Sequence, residues 1–180
     1  MNDLQHNEIE RKYLLIGNLN LKNYKCNNIV QYYFRLSNLK NYLDCLSLKI
    51  DYDDYQEMRV RVIDDKNAVL TLKSKGDLVR KEFETQVSMQ FLKDIQHKSI
   101  GKICKTRYHI YKDENFDVTI DKYADKNILE VEYTESHTNM LEALINNILI
   151  KIGKNIKAED VTFNPEYKNF ELATKNSFQI

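Results

Sequence analysis

The strongest constraint on the fold of this chain is a set of charged residues spaced two apart that returns in nearly every segment able to form a β-strand. Glu8, Glu10 and Lys12 alternate with Ile9 and Arg11, and Arg59 and Arg61 alternate with Val60 and Val62. Lys73 and Lys75 follow Leu70 and Leu72, Arg80, Glu82 and Glu84 surround Phe83, Lys105 precedes Arg107, and Glu130 and Glu132 flank Val131. Successive side chains of a strand project to opposite faces, so each set shares one face and leaves the other apolar or less charged. One such pair says little, because an exposed antiparallel face carries charge as a matter of course. Repetition over about eight or nine predicted strands says more, since a closed antiparallel barrel of roughly eight strands takes one inward face from each. The charges then line a tunnel and the apolar faces turn outward under helices, the inverse of a small barrel with an apolar interior.

The segments that read as strands are 8–15, 29–34, 58–63, 68–76, 80–87, 106–111, 116–123 and 128–133, with a hairpin turn at 64–67. Residues 46–50 alternate and read as another strand, or, with 38–46, as a helical turn. Ser88 is positioned to cap a short helix whose buried stripe is Phe91, Leu92 and Ile95. A longer helix follows from Met140, Leu141, Leu144, Ile145, Ile148, Leu149 and Ile152, with Ser136 or Thr138 as N-cap and Gly153 as the stop. A last short helix is expected around 167–173. One Pro, four Gly and no internal repeat in 180 residues make residues 1–180 a single domain. The expected class is α+β, mainly β: an eight-stranded antiparallel tunnel-like barrel with a charged interior and helices packed outside.

Composition narrows the function. Lys plus Arg and Asp plus Glu are each 27, so bulk charge attracts neither nucleic acid nor an anionic membrane. There is no signal-peptide pattern and no apolar run of membrane-spanning length. Cys26, Cys45 and Cys104 form no C-x-x-C pair, which fits a reducing compartment, ordinary buried or half-buried thiols and a cytoplasmic protein. His6, His97, His109 and His137 lack zinc-ligand spacing. A P-loop signature and a Ser/His/Asp or Cys/His arrangement are both missing from the sequence. A lumen of both signs suits phosphoanhydride hydrolysis. Arg and Lys clamp polyphosphate oxygens, while carboxylates hold Mg²⁺ or Mn²⁺ that bridges phosphate oxygens and holds the attacking water. Positioning and charge stabilisation carry most of phosphoryl transfer, so no nucleophilic side chain is required.

Taken in order, the opening Glu8-Ile9-Glu10-Arg11-Lys12-Tyr13-Leu14-Leu15, Arg59-Val60-Arg61, Leu72-Lys73-Ser74-Lys75, Arg80-Lys81-Glu82-Phe83-Glu84, Lys105-Thr106-Arg107-Tyr108, Asp121 and Leu129-Glu130-Val131-Glu132-Tyr133 resemble the CYTH family, the triphosphate tunnel metalloenzymes. Asp160-Val161-Thr162, Tyr167-Lys168-Asn169 and Leu172-Ala173 resemble the end of its short bacterial members. The resemblance implies metal-dependent cleavage of triphosphates. It implies Lys12, Arg59, Arg61, Lys73, Lys105 and Arg107 as substrate ligands, with Lys75 and Arg80 either joining them at the tunnel mouth or standing in solvent. It further implies Glu8, Glu10, Asp121, Glu130 and Glu132 as metal ligands and Glu10, Lys12, Glu82, Glu84 and Lys105 as the catalytic set, with the segment near 167–173 closing one tunnel end. The connection 35–57 is longer than the family minimum and is expected to extend two strands or form a flap over an entrance.

The favoured substrate is inorganic tripolyphosphate; thiamine or nucleoside triphosphate hydrolysis and class IV-type adenylate cyclase chemistry are the alternatives. Tyr32, Tyr33 and Tyr108 either stack on an organic group or simply pack. A non-catalytic polyphosphate or nucleotide sensor is the rival of a different class, and seven inward carboxylates argue against it because they weaken a pure anion binder. The expected partner is a small-molecule triphosphate, without nucleic acid or membrane, and the oligomeric state is open, a homodimer included.

Overall fold

The structure is a computed structural model that describes residues 4–48, 50–76 and 78–176, with the side chains of residues 4–8, 135, 175 and 176 outside the description. Among the described residues nine strands form one antiparallel sheet: β1 Leu4–Ile16, β2 Cys26–Phe34, β3 Glu57–Ile63, β4 Asn67–Lys73, β5 Val79–Val87, β6 Gly101–Lys112, β7 Phe116–Lys122, β8 Asn127–Tyr133 and β9 Lys157–Asp160. Their order is β5-β4-β3-β2-β6-β7-β8-β1-β9, and a further β5–β1 pairing closes the first eight into a barrel. β1 makes the closure by changing partners along its length. Its first half pairs with β5 from Leu4↔Glu84 to Ile9↔Val79, and its second half pairs with β8 from Glu10↔Glu132 to Leu15↔Asn127. The edge that β1 turns away from β5 is taken by β9, from Tyr13↔Asp160 to Ile16↔Lys157.

Alternation sorts the residues as the period-two pattern demands. Val60, Val62, Leu70, Leu72 and Phe83 face out from β3, β4 and β5 into an apolar cluster covered by α1 (Lys40–Asp44) and α2 (Met89–Ile95). Val118, Ile120, Leu129, Val131 and Leu15 face out into a second cluster under α3 (Leu141–Ile152), which lends Leu141, Ile145, Ile148 and Ile152. Ile9 packs at the edge of that cluster, away from the face of Glu10 and Lys12. Each buried aliphatic or aromatic side chain contributes about 1.5–3 kcal/mol, so the driving force lies in two outer layers and the lumen is left free to be polar.

The helix ends and the connections refine the sequence expectations. Ser88 caps α2 by accepting from the Phe91 N–H at 3.0 Å. α3 has no side-chain cap: neither Ser136 nor Thr138 serves, because a 3₁₀ segment over 135–140 feeds the helix directly through Met140. Gly153 ends α3 in an extended conformation (φ 165°) where an added Cβ would lie 2.8 Å from the Asn18 carbonyl oxygen, so close approach and not a left-handed turn selects glycine. The described part of the expected 46–50 strand, residues 46–48 and 50, forms no strand, and Leu46, Leu48 and Ile50 pack on the first cluster. Among the described residues the connection 35–57 covers the outside of the barrel in place of the expected flap, except for Glu57, which begins β3 and lines the lumen. All three cysteines are free and exposed, not buried or half-buried.

The C-terminal segment enters one end of the barrel. α4 (Asn169–Asn176) starts two residues later than the 167–173 expected, after a 3₁₀ turn at Pro165–Tyr167, and lies against β6 and β2. Phe170, Leu172 and Ala173 join Tyr33, Ile103 and Tyr123, which share inward faces with the charged residues, and Phe170 meets the Tyr33 ring edge-on at 5.9 Å. The fit depends on Gly101, where an added Cβ would stand 2.6 Å from both the carbonyl carbon and oxygen of Ala173.

Candidate active site

Closure brings the alternating charges into one cavity of about 370 Å³. Among the described residues eight basic side chains line it, Lys12, Arg59, Arg61, Lys73, Arg80, Arg107, Lys112 and Lys168, and seven acidic ones, Glu10, Glu57, Glu82, Glu84, Asp117, Glu130 and Glu132. Near balance of the signs means that net charge does not select a ligand, so their placement must. Strand order supplies that placement. β4, β3 and β6 carry Lys73, Arg59, Arg61, Lys105 and Arg107, with uncharged β2 between β3 and β6, and together they make a basic wall. β5, β1, β8 and β7 carry Glu82, Glu84, Glu10, Glu130, Glu132, Asp117 and Asp121 and make an acidic wall. Glu57 on the basic wall and Lys12 and Arg80 on the acidic wall are the main exceptions, and Arg80 faces both Glu10 (3.7 Å) and Glu57 (3.9 Å).

The two walls neutralise each other across the lumen. The Lys12 ammonium donates to Glu10 (3.1 Å) and to its register partner Glu130 (2.5 Å). Arg107 forks onto Asp121 through Nε and a terminal nitrogen, both at 2.7 Å, and reaches Glu130 as well. Lys105 pairs with Asp121 behind this layer. On the other side Arg61 meets Glu84 at 2.9 Å, Lys73 meets Glu82 at 2.6 Å, and Thr71 donates to Glu84 at 2.8 Å.

Burial and pairing pull these groups in different directions. Burial opposes charge on Lys12, but Glu10 and Glu130 outweigh it and raise its pKa. Burial opposes charge on Glu130, yet Lys12, Lys105 and Arg107 hold its carboxyl well below the usual range. For Lys105 burial outweighs Asp121 and Glu130 and pushes the ammonium down to about 8. Arg61 is lowered by burial and by the nearby Arg59 and Arg107 guanidiniums, against the pull of Glu84. Cations crowded enough to perturb one another are what a strong polyanion would relieve.

Of the expected site residues, Glu10, Lys12, Arg59, Arg61, Lys73, Arg80, Glu82, Glu84, Arg107, Glu130 and Glu132 line the cavity. Lys105 and Asp121 sit fully buried one layer behind it. Lys75 is exposed in the β4–β5 turn and is not brought to the cavity. The Glu8 side chain lies outside the described residues, although its backbone pairs with Arg80 on β5. A search for paired charges passes over several residues the fold also brings in: Asn27 and Ile29 on β2, Glu57, His109, Thr119, and Lys168 and Asn169 at the start of α4. His109 contacts Asn27 at 2.7 Å, and Asn169 accepts from the Tyr123 hydroxyl at 2.6 Å. Asp117 shares the inward face of Thr119 and Asp121, and the alternation of β7 was the signal for it.

A closed antiparallel barrel with opposed basic and acidic inner walls defines the class of charged-tunnel barrels. The CYTH domain family model matches residues 6–161, and the chain belongs to that family. No curated protein matches the chain in sequence. Among solved structures it is similar to the protein NE1496, described as hypothetical, at 22% identity and a TM-score of 0.52 over 93% of this chain and 97% of that one. A second structure of NE1496, described as an inorganic triphosphatase, gives 22% identity and a TM-score of 0.49 over 93% and 94%. It is also similar to HpAC1 from Hippeastrum, assigned as an adenylyl cyclase and described as having a dominant triphosphatase activity, at 16% identity and a TM-score of 0.51 over 80% and 87%.

Proposed function

We propose that this protein hydrolyses the terminal phosphoanhydride of a triphosphate, with inorganic tripolyphosphate as substrate and Mg²⁺ or Mn²⁺ in support. The observation that carries the reading is the division of the lumen into a basic and an acidic wall. A linear polyphosphate laid along β4, β3 and β6 meets Lys73, Arg59, Arg61 and Arg107, which match its oxygens as bidentate forks and a point charge. The acidic wall supplies hard oxygen donors. Glu10 and Glu132 are register partners, Lys12 and Glu130 are the next pair on that face, and Asp117 lies opposite Glu132 on β7.

This donor set suits Mg²⁺ or Mn²⁺ in its chemistry. Among the described residues no three acidic, His or Cys side chains already converge as a ready cage, because Glu10 and Glu130 hold the Lys12 ammonium between them. The Lys12 ammonium between this pair supports the reading that a cation belongs at this place. Glu10, Glu130 and Glu132, with Asp117, would hold the ion, and Asp121 would act from behind through Arg107. Bound there, a divalent cation supplies Lewis acidity toward the phosphate oxygens and the attacking water. Glu82 and Glu84 keep Arg59, Arg61 and Lys73 aimed across the lumen. Membership of a family of generally metal-dependent triphosphate tunnel enzymes supports the reaction, as do the descriptions of NE1496 and HpAC1.

Tripolyphosphate is favoured over an organic triphosphate because the lining holds no Phe, Tyr or Trp among the described residues, and its one aromatic ring there, the His109 imidazole, is held in the wall by Asn27 at 2.7 Å. The test is phosphate release from tripolyphosphate, ATP and thiamine triphosphate with Mg²⁺, with Mn²⁺ and with EDTA. Metal-dependent turnover, fastest on tripolyphosphate, is expected. No turnover of any of the three would leave a polyphosphate sensor, and pyrophosphate released from ATP would mean cyclase chemistry.

A further inference from the structure

One row of register partners crosses the acidic wall from Lys112 on β6 to Asp117 on β7, Glu132 on β8 and Glu10 on β1. All four line the lumen, so three carboxylates stand side by side on adjacent strands. Like charges set directly opposite one another repel, and such a row needs cations. Lys12 at 3.1 Å and Arg80 at 3.7 Å serve the Glu10 end. Lys112 serves the other end, where it pairs with Asp117 and is drawn by the charge of Glu132 as well.

β6 delivers this lysine only by breaking its alternation. Lys105, Arg107 and His109 share the inward face, so in unbroken phase Tyr111 would come next and Lys112 would face out. Between His109↔Thr119 and Tyr111↔Val118 the register shifts, and β6 carries one residue more than β7. Ile110 packs on the second outer cluster, Tyr111 stands opposite outward-facing Val118, and Lys112 comes in opposite Asp117. A bulge of this kind re-aims a side chain. Lys112 also differs from the other cations of the lumen in its freedom: its side chain is 74% exposed, against 4% for Lys73 and 14% for Arg107. A pair so solvated shifts its own equilibrium by about fivefold at most, so Lys112 leaves Asp117 readily.

We infer that Lys112 couples metal binding to substrate binding: its ammonium neutralises Asp117 while the acidic wall holds no divalent ion, and moves to a phosphoryl oxygen once Asp117 and Glu132 have taken one. The inference rests on the metal-supported triphosphate reading and deepens it, and the test separates the two. Wild type, K112M and K112R are compared for Mn²⁺ affinity by calorimetry without anion, and for the KM of tripolyphosphate at saturating Mn²⁺. Lys112→Met is expected to bind Mn²⁺ about threefold tighter, because the competing ammonium is gone, and to raise KM about fivefold, because the phosphate loses a partner. K112R keeps the charge and is expected to return both values toward wild type. A solvated lysine without a role predicts no change in either value, and a lysine that only ties β6 to β7 predicts weaker binding of both ligands. Any result in which metal affinity and substrate affinity fail to move in opposite directions overturns the inference and leaves the functional reading standing. Should K112M not fold, Lys112→Gln makes the same neutral change. A wild type that neither binds Mn²⁺ nor hydrolyses tripolyphosphate overturns both the inference and the functional reading.

Discussion

Lys12 shows how one side chain joins stability to function. It is the cation between Glu10 and Glu130, and breaking a buried pair from one side typically costs about 3–5 kcal/mol because the remaining charges are left uncompensated. Lys12→Met is therefore expected to lower the melting temperature in EDTA by about 10 °C and to regain part of that loss in Mg²⁺, which replaces the ammonium. Glu130→Gln should lose the response to Mg²⁺ instead. Identical melting of wild type and K12M, with and without Mg²⁺, would show that these carboxylates hold no cation that matters. Lys105 carries a pH signature. Its pKa is about 8 in the folded chain, against about 10.4 when unfolded, so in the window between them the unfolded chain binds the extra proton. Stability then rises with pH through that window, and the rise is lost in K105M. A carbon-13 NMR titration of lysine side chains should find one lysine titrating near pH 8 in the wild type and none in the variant; no lysine titrating below about pH 10 would refute the assignment.

The elements differ in how plainly the sequence announced them. β3, β5 and β8 were legible because Arg59-Val60-Arg61, Glu82-Phe83-Glu84 and Glu130-Val131-Glu132 need a strand to keep charge and apolar surface apart. α3 was legible from Leu141, Ile145, Ile148 and Ile152, although its start was not, since a 3₁₀ lead-in leaves no capping signal. β9 escaped because Lys157-Ala158-Glu159-Asp160 has no apolar alternation; it exists through backbone pairing to the stretch of β1 from Tyr13 to Ile16. The docking of α4 is equally invisible in sequence, since it depends on the absence of a Cβ at Gly101, 72 residues away from Ala173. Gly101→Ala is expected to force α4 outward at a cost of about 1–3 kcal/mol and to speed hydrogen exchange over 169–176 while leaving β3 and β4 protected. Unchanged protection of α4 would mean that the helix accommodates the methyl without moving.

At the scale of the whole molecule, a lumen whose walls satisfy each other should be stabilised further by a ligand that satisfies both. Tripolyphosphate with Mg²⁺ at about one hundred times its dissociation constant should add about 2.7 kcal/mol, or roughly 5–10 °C in the melting temperature of a chain this size. Tripolyphosphate without metal should do less. A thermal-shift series that shows no gain from the pair over the anion alone would argue against the acidic wall as a metal site. The sequence by itself determined that charge and apolar surface must face opposite ways along nearly every strand, which is a local consequence of strand geometry and needs no knowledge of partners. It thereby determined the inverted barrel and most of the residues in its lumen. Along the chain, however, the signs are interleaved: acidic Glu10, basic Arg59 and Arg61, acidic Glu82 and Glu84, basic Arg107, acidic Glu130. Only the tertiary order of the strands, with β2 beside β6 and β1 between β5 and β8, gathered them into two opposed walls. The physical reason is that alternation fixes which face a side chain takes, while long-range backbone pairing fixes whose side chain stands next to it.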